Sequence, residues 1–191
     1  GNGRDTQELT LETETKFIRA EGVVETAKML KQNSYRPDLI IGHPGWGETI
    51  FLKTVWPEVP QIHYLEYFYG VGGTDHDFCD EFTDKKTTEE ECRAITKNTS
   101  GLLALNQMTW GYTPTNFQKD TFPKWSHKCV NVIHDGIDTD WAKPKDNIVL
   151  TLKDGRQITS GDKVVTFVNR TFEPYRGIHV FMKAAKEILD A

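Results

Sequence analysis

Two clusters in the sequence combine chemically capable residues with a spacing that would expose them. The first is RPDLIIGHPGWGE, residues 36–48, in which His43 is followed by Gly45, Trp46, Gly47 and Glu48. Histidine gives, takes or holds a proton near neutral pH. Here it ends an apolar run over 39–42 and precedes a Pro-Gly turn, the pattern of a buried strand leaving a sheet. Ligands of open parallel α/β sheets bind just past the carboxyl ends of the strands, which is where His43 falls. The competing reading is a hydrogen-bonded turn histidine, and Glu48 equally suits substrate contact or the cap of its own helix. The second cluster is NRTFEPYRG, where Arg170 and Arg176 flank a turn and a helix opens near Gly177. Two guanidinium forks beside free helix N–H groups suit a phosphate or diphosphate. Pairing of the arginines with Glu173 is the alternative.

Three other patterns carry less. Asp75-His76-Asp77 matches a metal-holding DxD motif but sits in a glycine-rich acidic loop, not directly after a buried strand, so no metal is expected. GVGGT at 70–74 lacks the Lys-Ser/Thr and the helix of a phosphate loop. HPGWG loosely resembles the oxyanion turn of α/β-hydrolases, yet the chain has no GxSxG elbow, which argues against a serine hydrolase.

These residues need a scaffold. With 191 residues, 37% apolar and 27% charged, the chain holds one domain with a proper core, or one domain and part of a second. A net charge of −5 and the lack of a long basic run argue against nucleic acid as a partner. The first ten residues are polar, without the apolar core of a signal peptide. Cys79, Cys92 and Cys129 are too scattered for a disulfide frame and read as reduced thiols of a cytoplasmic protein.

Periodicity predicts helices over 12–32, 48–55, 89–105 and 114–117, and another opening near Gly177. It predicts strands over 39–42, 61–69, 108–113, 129–133 and a buried 163–168. Asp154-Gly155 marks a two-residue hairpin between 148–152 and 156–159. Thr87 or Thr88 caps the third helix, and Pro114 takes the first position of the fourth. The fold class is α/β, a Rossmann-like, doubly wound, mostly parallel sheet. Tyr64, Tyr67, Phe68 and Tyr69 either stack on sugars or belong to the core of the second strand.

PDLIIGHPGWGET, VIHDGIDTD and VVTFVNRTFEPYRGIHVFMKAA, in that order, closely resemble bacterial glycosyltransferases of family 4, the group-1 glycosyltransferases. The resemblance covers about residues 35–191 and implies two Rossmann-like domains across a cleft, the GT-B architecture. It implies transfer of a sugar from a nucleotide-sugar donor to a glycan or lipid-linked acceptor, with retention of configuration and no metal or cofactor besides the donor. His43 and the loop of Gly45, Trp46, Gly47 and Glu48 resemble the acceptor-side wall, with His43 the catalytic candidate. Arg170, Arg176 and Gly177 resemble the donor diphosphate site, where the family's usual second residue is lysine. A lipid-linked acceptor implies peripheral association with the inner face of the membrane.

The family also has a glycine-rich first strand ahead of the opening helix and a longer donor domain. The expected organisation is therefore an acceptor-side domain over 1–145 without its first strand, and a hairpin plus first β–α unit of a donor domain over 146–191. Such a piece is expected to have little transferase activity by itself. A non-catalytic module that binds a glycan or a protein is the alternative, and a dinucleotide enzyme is disfavoured because no G-x-G-x-x-G occurs.

Overall fold

The computed structural model describes residues 8–70, 78–79, 81–82 and 87–190. Asp75–Asp77 and residues 71–74 of the glycine loop lie outside them. The chain divides into two compact units, one up to Asp135 and one from Gly136, each described by itself.

The first unit is a four-stranded, wholly parallel sheet of β1 (Ile40–Gly42), β2 (Gln61–Tyr64), β3 (Trp110–Thr113) and β4 (Val130–Val132), in the order β1-β2-β3-β4. This is the Rossmann-like α/β class that the alternation of periods predicts. Helix α1 (Leu11–Gln32) opens on Glu12 and Glu14, whose charges suit a helix N-terminus, and it runs through Gly22 unbroken. Its buried Ala27, with Val23 and Val24, packs on Leu52, Val55, Trp56 and Val59 from α2 (Leu52–Val55) and the loop that follows. A second cluster joins Leu65, Leu105, Phe122 and Val130 under the other half of the sheet.

Among the described residues, one sheet face is closed and the other is open. Register aligns Gly42, His63, Gly111 and Val130 in one row, with His63 and Val130 buried. The neighbouring row of Ile41, Ile62 and Trp110 faces the opposite way, and Ile41 and Trp110 are exposed.

Several elements are shorter than their sequence pattern. Residues 48–51 form turns bonded three residues back, with Ile50 N–H on the Gly47 carbonyl, and only Leu52–Val55 becomes α-helix. Phe51 takes the N-cap position, so Glu48 does not cap the helix. Strand β2 stops at Tyr64 because other partners take the backbone groups beyond it. Leu65 N–H still bonds the Tyr112 carbonyl of β3, but beyond it Phe68 N–H goes to the Thr121 hydroxyl and Tyr69 N–H to the Asn98 side chain.

The long third helix is two, α3 (Thr88–Lys97) and α4 (Thr99–Gln107), parted at Asn98. Thr87 caps α3 in a complete capping box with Glu90. Helix α5 (Asn116–Thr121) is capped by Thr115, leaving Pro114 outside the helix instead of at its first position.

In the second unit, β5 (Leu150–Thr151) pairs with β6 (Gln157–Ile158) antiparallel. The turn is a three-residue loop rather than a two-residue one. Gly155 N–H returns to the Leu152 carbonyl, and Gly155 takes the left-handed φ of 85° that ends such a loop. Residues 163–168, expected as a buried strand, form no strand, and Val165 and Val168 are exposed. A strand exists only through a partner, and among the described residues of this unit only β5 and β6 pair. Phe167 instead packs on Phe172 and on Phe181 of α6 (Ile178–Asp190).

Candidate functional site

Strand β1 delivers His43 in extended conformation to a 3₁₀ turn, Pro44–Trp46. Pro44 suits the first position, where its fixed φ is already helical and its missing N–H is not needed. The Gly45 N–H donates to His43 Nδ1 at 3.1 Å, and a Cβ on Gly45 would stand 2.6 Å from an imidazole carbon. Gly47 closes the turn at φ 100°, with its N–H on the Pro44 carbonyl. A Cβ at Gly47 would also run into the Lys16 carbonyl, so glycine lets α1 lie directly against the turn.

The turn fixes the histidine's chemistry. A backbone N–H only donates, so Nδ1 accepts and the ring proton sits on Nε2. Nε2 is 3.0 Å from Glu66 Oε2, to which it donates. Both ring nitrogens are then engaged, Nδ1 by the Gly45 N–H and Nε2 by Glu66, and the imidazole orients the carboxylate. Glu66 is more exposed than its partner, with side-chain accessibilities of 59% and 28%, and offers its free oxygen lone pairs outward. The His43 ring lies 5.4 Å from Tyr64 and 6.4 Å from Trp46. Burial, then the charge of Asp135, raises the pKa of Tyr64, whose hydroxyl donates to Asp135 at 3.2 Å.

His43, Gly45, Trp46 and Glu66 line one cavity of about 410 Å³, a volume typical of small-ligand sites. Tyr64, Tyr67 and Tyr69 form part of its wall, while Phe68 turns into the core against Phe122, 5.5 Å away. Asn98 braces that wall. Its Oδ1 accepts the Tyr69 N–H at 2.8 Å and its Nδ2 donates to the Tyr69 carbonyl at 2.7 Å. Lys16 and Arg19 of α1 and Lys97 of α3 bring positive charge to the same cavity.

The structure thus gathers His43, Gly45 and Trp46 at the cavity, whereas Gly47 and Glu48 are not among its lining residues. Glu66, Arg19, Lys16 and Lys97 escaped the sequence reading. Glu66 left a trace as the one acid in the aromatic run QIHYLEYFY. The cations left none, because helical charge is usually solvated.

The second unit holds the other predicted cluster. Arg176 Nε donates to Glu173 Oε1 at 3.1 Å, the pairing weighed as the alternative, which leaves its terminal amino groups outside that bond. The Thr171 hydroxyl, then Arg176 and Arg170, hold the Glu173 carboxyl below its usual pKa, so both arginines act on one carboxylate. Gly177, at φ 74°, links the 3₁₀ turn Pro174–Arg176 to α6.

Residues 1–142 match the family model described as glycosyl transferase family 4 group. The chain belongs to the glycosyl transferase family 4 group. No curated protein matches it. The matched stretch contains every residue that lines the cavity, so this is a cavity of a glycosyltransferase domain. Arg170 and Arg176 lie beyond the match. No helix among the described residues of this glycosyltransferase is long and apolar enough to cross a membrane.

Proposed function

We propose that this glycosyltransferase chain receives the sugar acceptor in the His43–Glu66 cavity and holds the donor diphosphate with Arg170, Arg176 and the backbone after Gly177. The donor is a nucleotide-sugar and the acceptor a glycan, free or lipid-linked. Transfer proceeds with retention of anomeric configuration and without a metal. The enzyme works in the cytoplasm, peripherally at the inner membrane face when the acceptor is lipid-linked.

One observation carries this reading: a carboxylate held by an imidazole N–H at 3.0 Å, in a cavity walled by tyrosine and tryptophan rings. Aromatic faces suit the C–H surface of a sugar ring, and a fixed carboxylate suits its hydroxyls. An acceptor hydroxyl donates to Glu66. Its oxygen bonds the anomeric carbon on the same face that the diphosphate leaves, which retains the configuration. The bond from that carbon to the diphosphate breaks, the diphosphate leaves with the electron pair, and the hydroxyl proton passes to Glu66. Guanidinium groups suit the charge that develops on the departing diphosphate.

Titration of the 191-residue chain with nucleoside diphosphates and with oligosaccharides, read by NMR, tests the assignment. Nucleotide binding should vanish in Arg176→Ala, and oligosaccharide binding should weaken in Glu66→Gln while tolerating Arg176→Ala. Oligosaccharide binding untouched by Glu66→Gln would refute the acceptor site. Glycan binding with no nucleotide binding at all would favour a non-catalytic module.

A further inference from the structure

We propose that Lys16, Arg19 and Lys97 form an anion subsite in the cavity beside His43 and Glu66, so that the acceptor carries a phosphate or carboxylate near its accepting hydroxyl. This rests on the reading of the cavity as the acceptor site and names the class of acceptor.

The three cations converge from different directions. Lys16 and Arg19 stand three residues apart on one face of α1, and Lys97 ends α3. Lys16 Nζ donates to the Lys97 carbonyl at 3.1 Å, which ties the two helices together at the cavity wall. Arg19 lies over the Trp46 ring, 5.4 Å from its centroid, and Lys97 over the Tyr69 ring at 5.1 Å. Ring faces hold these side chains in place yet leave their N–H donors unspent.

Charge in the cavity is unbalanced. Its acids are Glu12 and Glu66, and Glu66 already accepts from His43. Among the described residues none of the three cations forms an ion pair with a carboxylate. Lys16 and Lys97 are half-buried, and burial with the nearby Lys97 charge lowers the pKa of Lys16 even against Glu12. Three cations against two carboxylates leave a concave wall with a net positive field, which attracts an anion. The chain as a whole is acidic, at −5, so this is local placement and not a general basic surface.

The test compares glucose 1-phosphate, methyl glucuronoside, methyl glucoside and inorganic phosphate on the full chain, reading the Trp46 indole and Gly45 amide signals by NMR. A charge-assisted contact predicts that at least one anionic sugar binds about 10-fold tighter than methyl glucoside. Arg19→Gln and Lys97→Gln should each weaken the anionic sugar several-fold more than they weaken methyl glucoside, removing most of that advantage. Which anionic sugar binds tighter separates a phosphate from a carboxylate. Equal binding of neutral and anionic sugars, insensitive to Arg19→Gln, would overturn the subsite and leave the acceptor site standing. Glucose 1-phosphate no tighter than inorganic phosphate at the same signals would keep the subsite and sink the acceptor reading. Silence from all four probes would overturn both.

Discussion

Acidification should weaken the sheet through one residue, His63. Its side chain is fully buried between Gly42 and Gly111 in the middle of the sheet, with Nε2 3.2 Å from Gln61 Oε1. Burial disfavours the imidazolium and lowers the pKa from 6.5 to about 4. The folded state therefore binds this proton less readily than the unfolded chain does. The contribution of neutral His63 is complete above the unfolded value of 6.5 and is lost as pH falls towards about 4. Over the whole window this amounts to about 3 kcal/mol, of which about 1 kcal/mol is gone by roughly pH 5.5, where most carboxylates are still ionised. Urea denaturation of wild type and His63→Gln near pH 7 and near pH 5.5 isolates the effect, because the variant keeps an amide donor for Gln61 but cannot titrate. Wild type should lose roughly 1 kcal/mol more than the variant over that interval. Parallel losses in the two proteins would refute the assignment of the acid sensitivity to this ring. Gly42, beside His63 in the sheet, immediately precedes His43, so acceptor binding should fade over the same pH range.

Three further outcomes follow from the site's supports. Gly47→Ala places a side chain at φ 100° and against the Lys16 carbonyl, so it should destabilise the chain by about 2 kcal/mol or more and weaken ligand binding, both read by thermal denaturation with and without ligand. Asn98→Ala removes two hydrogen bonds to the Tyr69 backbone and should cost about 1 kcal/mol for each bond lost. Its Tyr67 and Tyr69 signals should broaden in NMR spectra, and unchanged signals would mean the loop does not need the clamp. Thr87→Ala removes the capping hydroxyl of α3 and should cost about 1 kcal/mol in a denaturant titration, with little effect on cavity binding.

Much of the first unit was legible because its signals are local. A capping threonine ahead of three glutamates, apolar residues at helical spacing and short apolar runs ending in turns all state their conformation within a few residues. His43 and the Gly45 turn were legible for the same reason, since the imidazole's partner on one side is the backbone two residues away. The failures share a cause as well. QIHYLEYFY alternates as a strand does, yet its second half leaves the sheet when Thr121 and Asn98, distant in sequence, take its N–H groups. KVVTFV carries every mark of a buried strand but has no partner in its unit, and β propensity without a partner leaves the backbone unpaired.

Local chemistry along the chain was enough for the α/β class, the caps of α3 and the placement of His43 at the end of a strand. Long-range packing alone made Glu66 the histidine's partner across 23 residues and set Lys16 against Lys97 across 81. The physical difference is one of range: a cap or a glycine turn is stabilised by neighbours within a few bonds. A cavity exists only where separate helices and strands come to rest against one another.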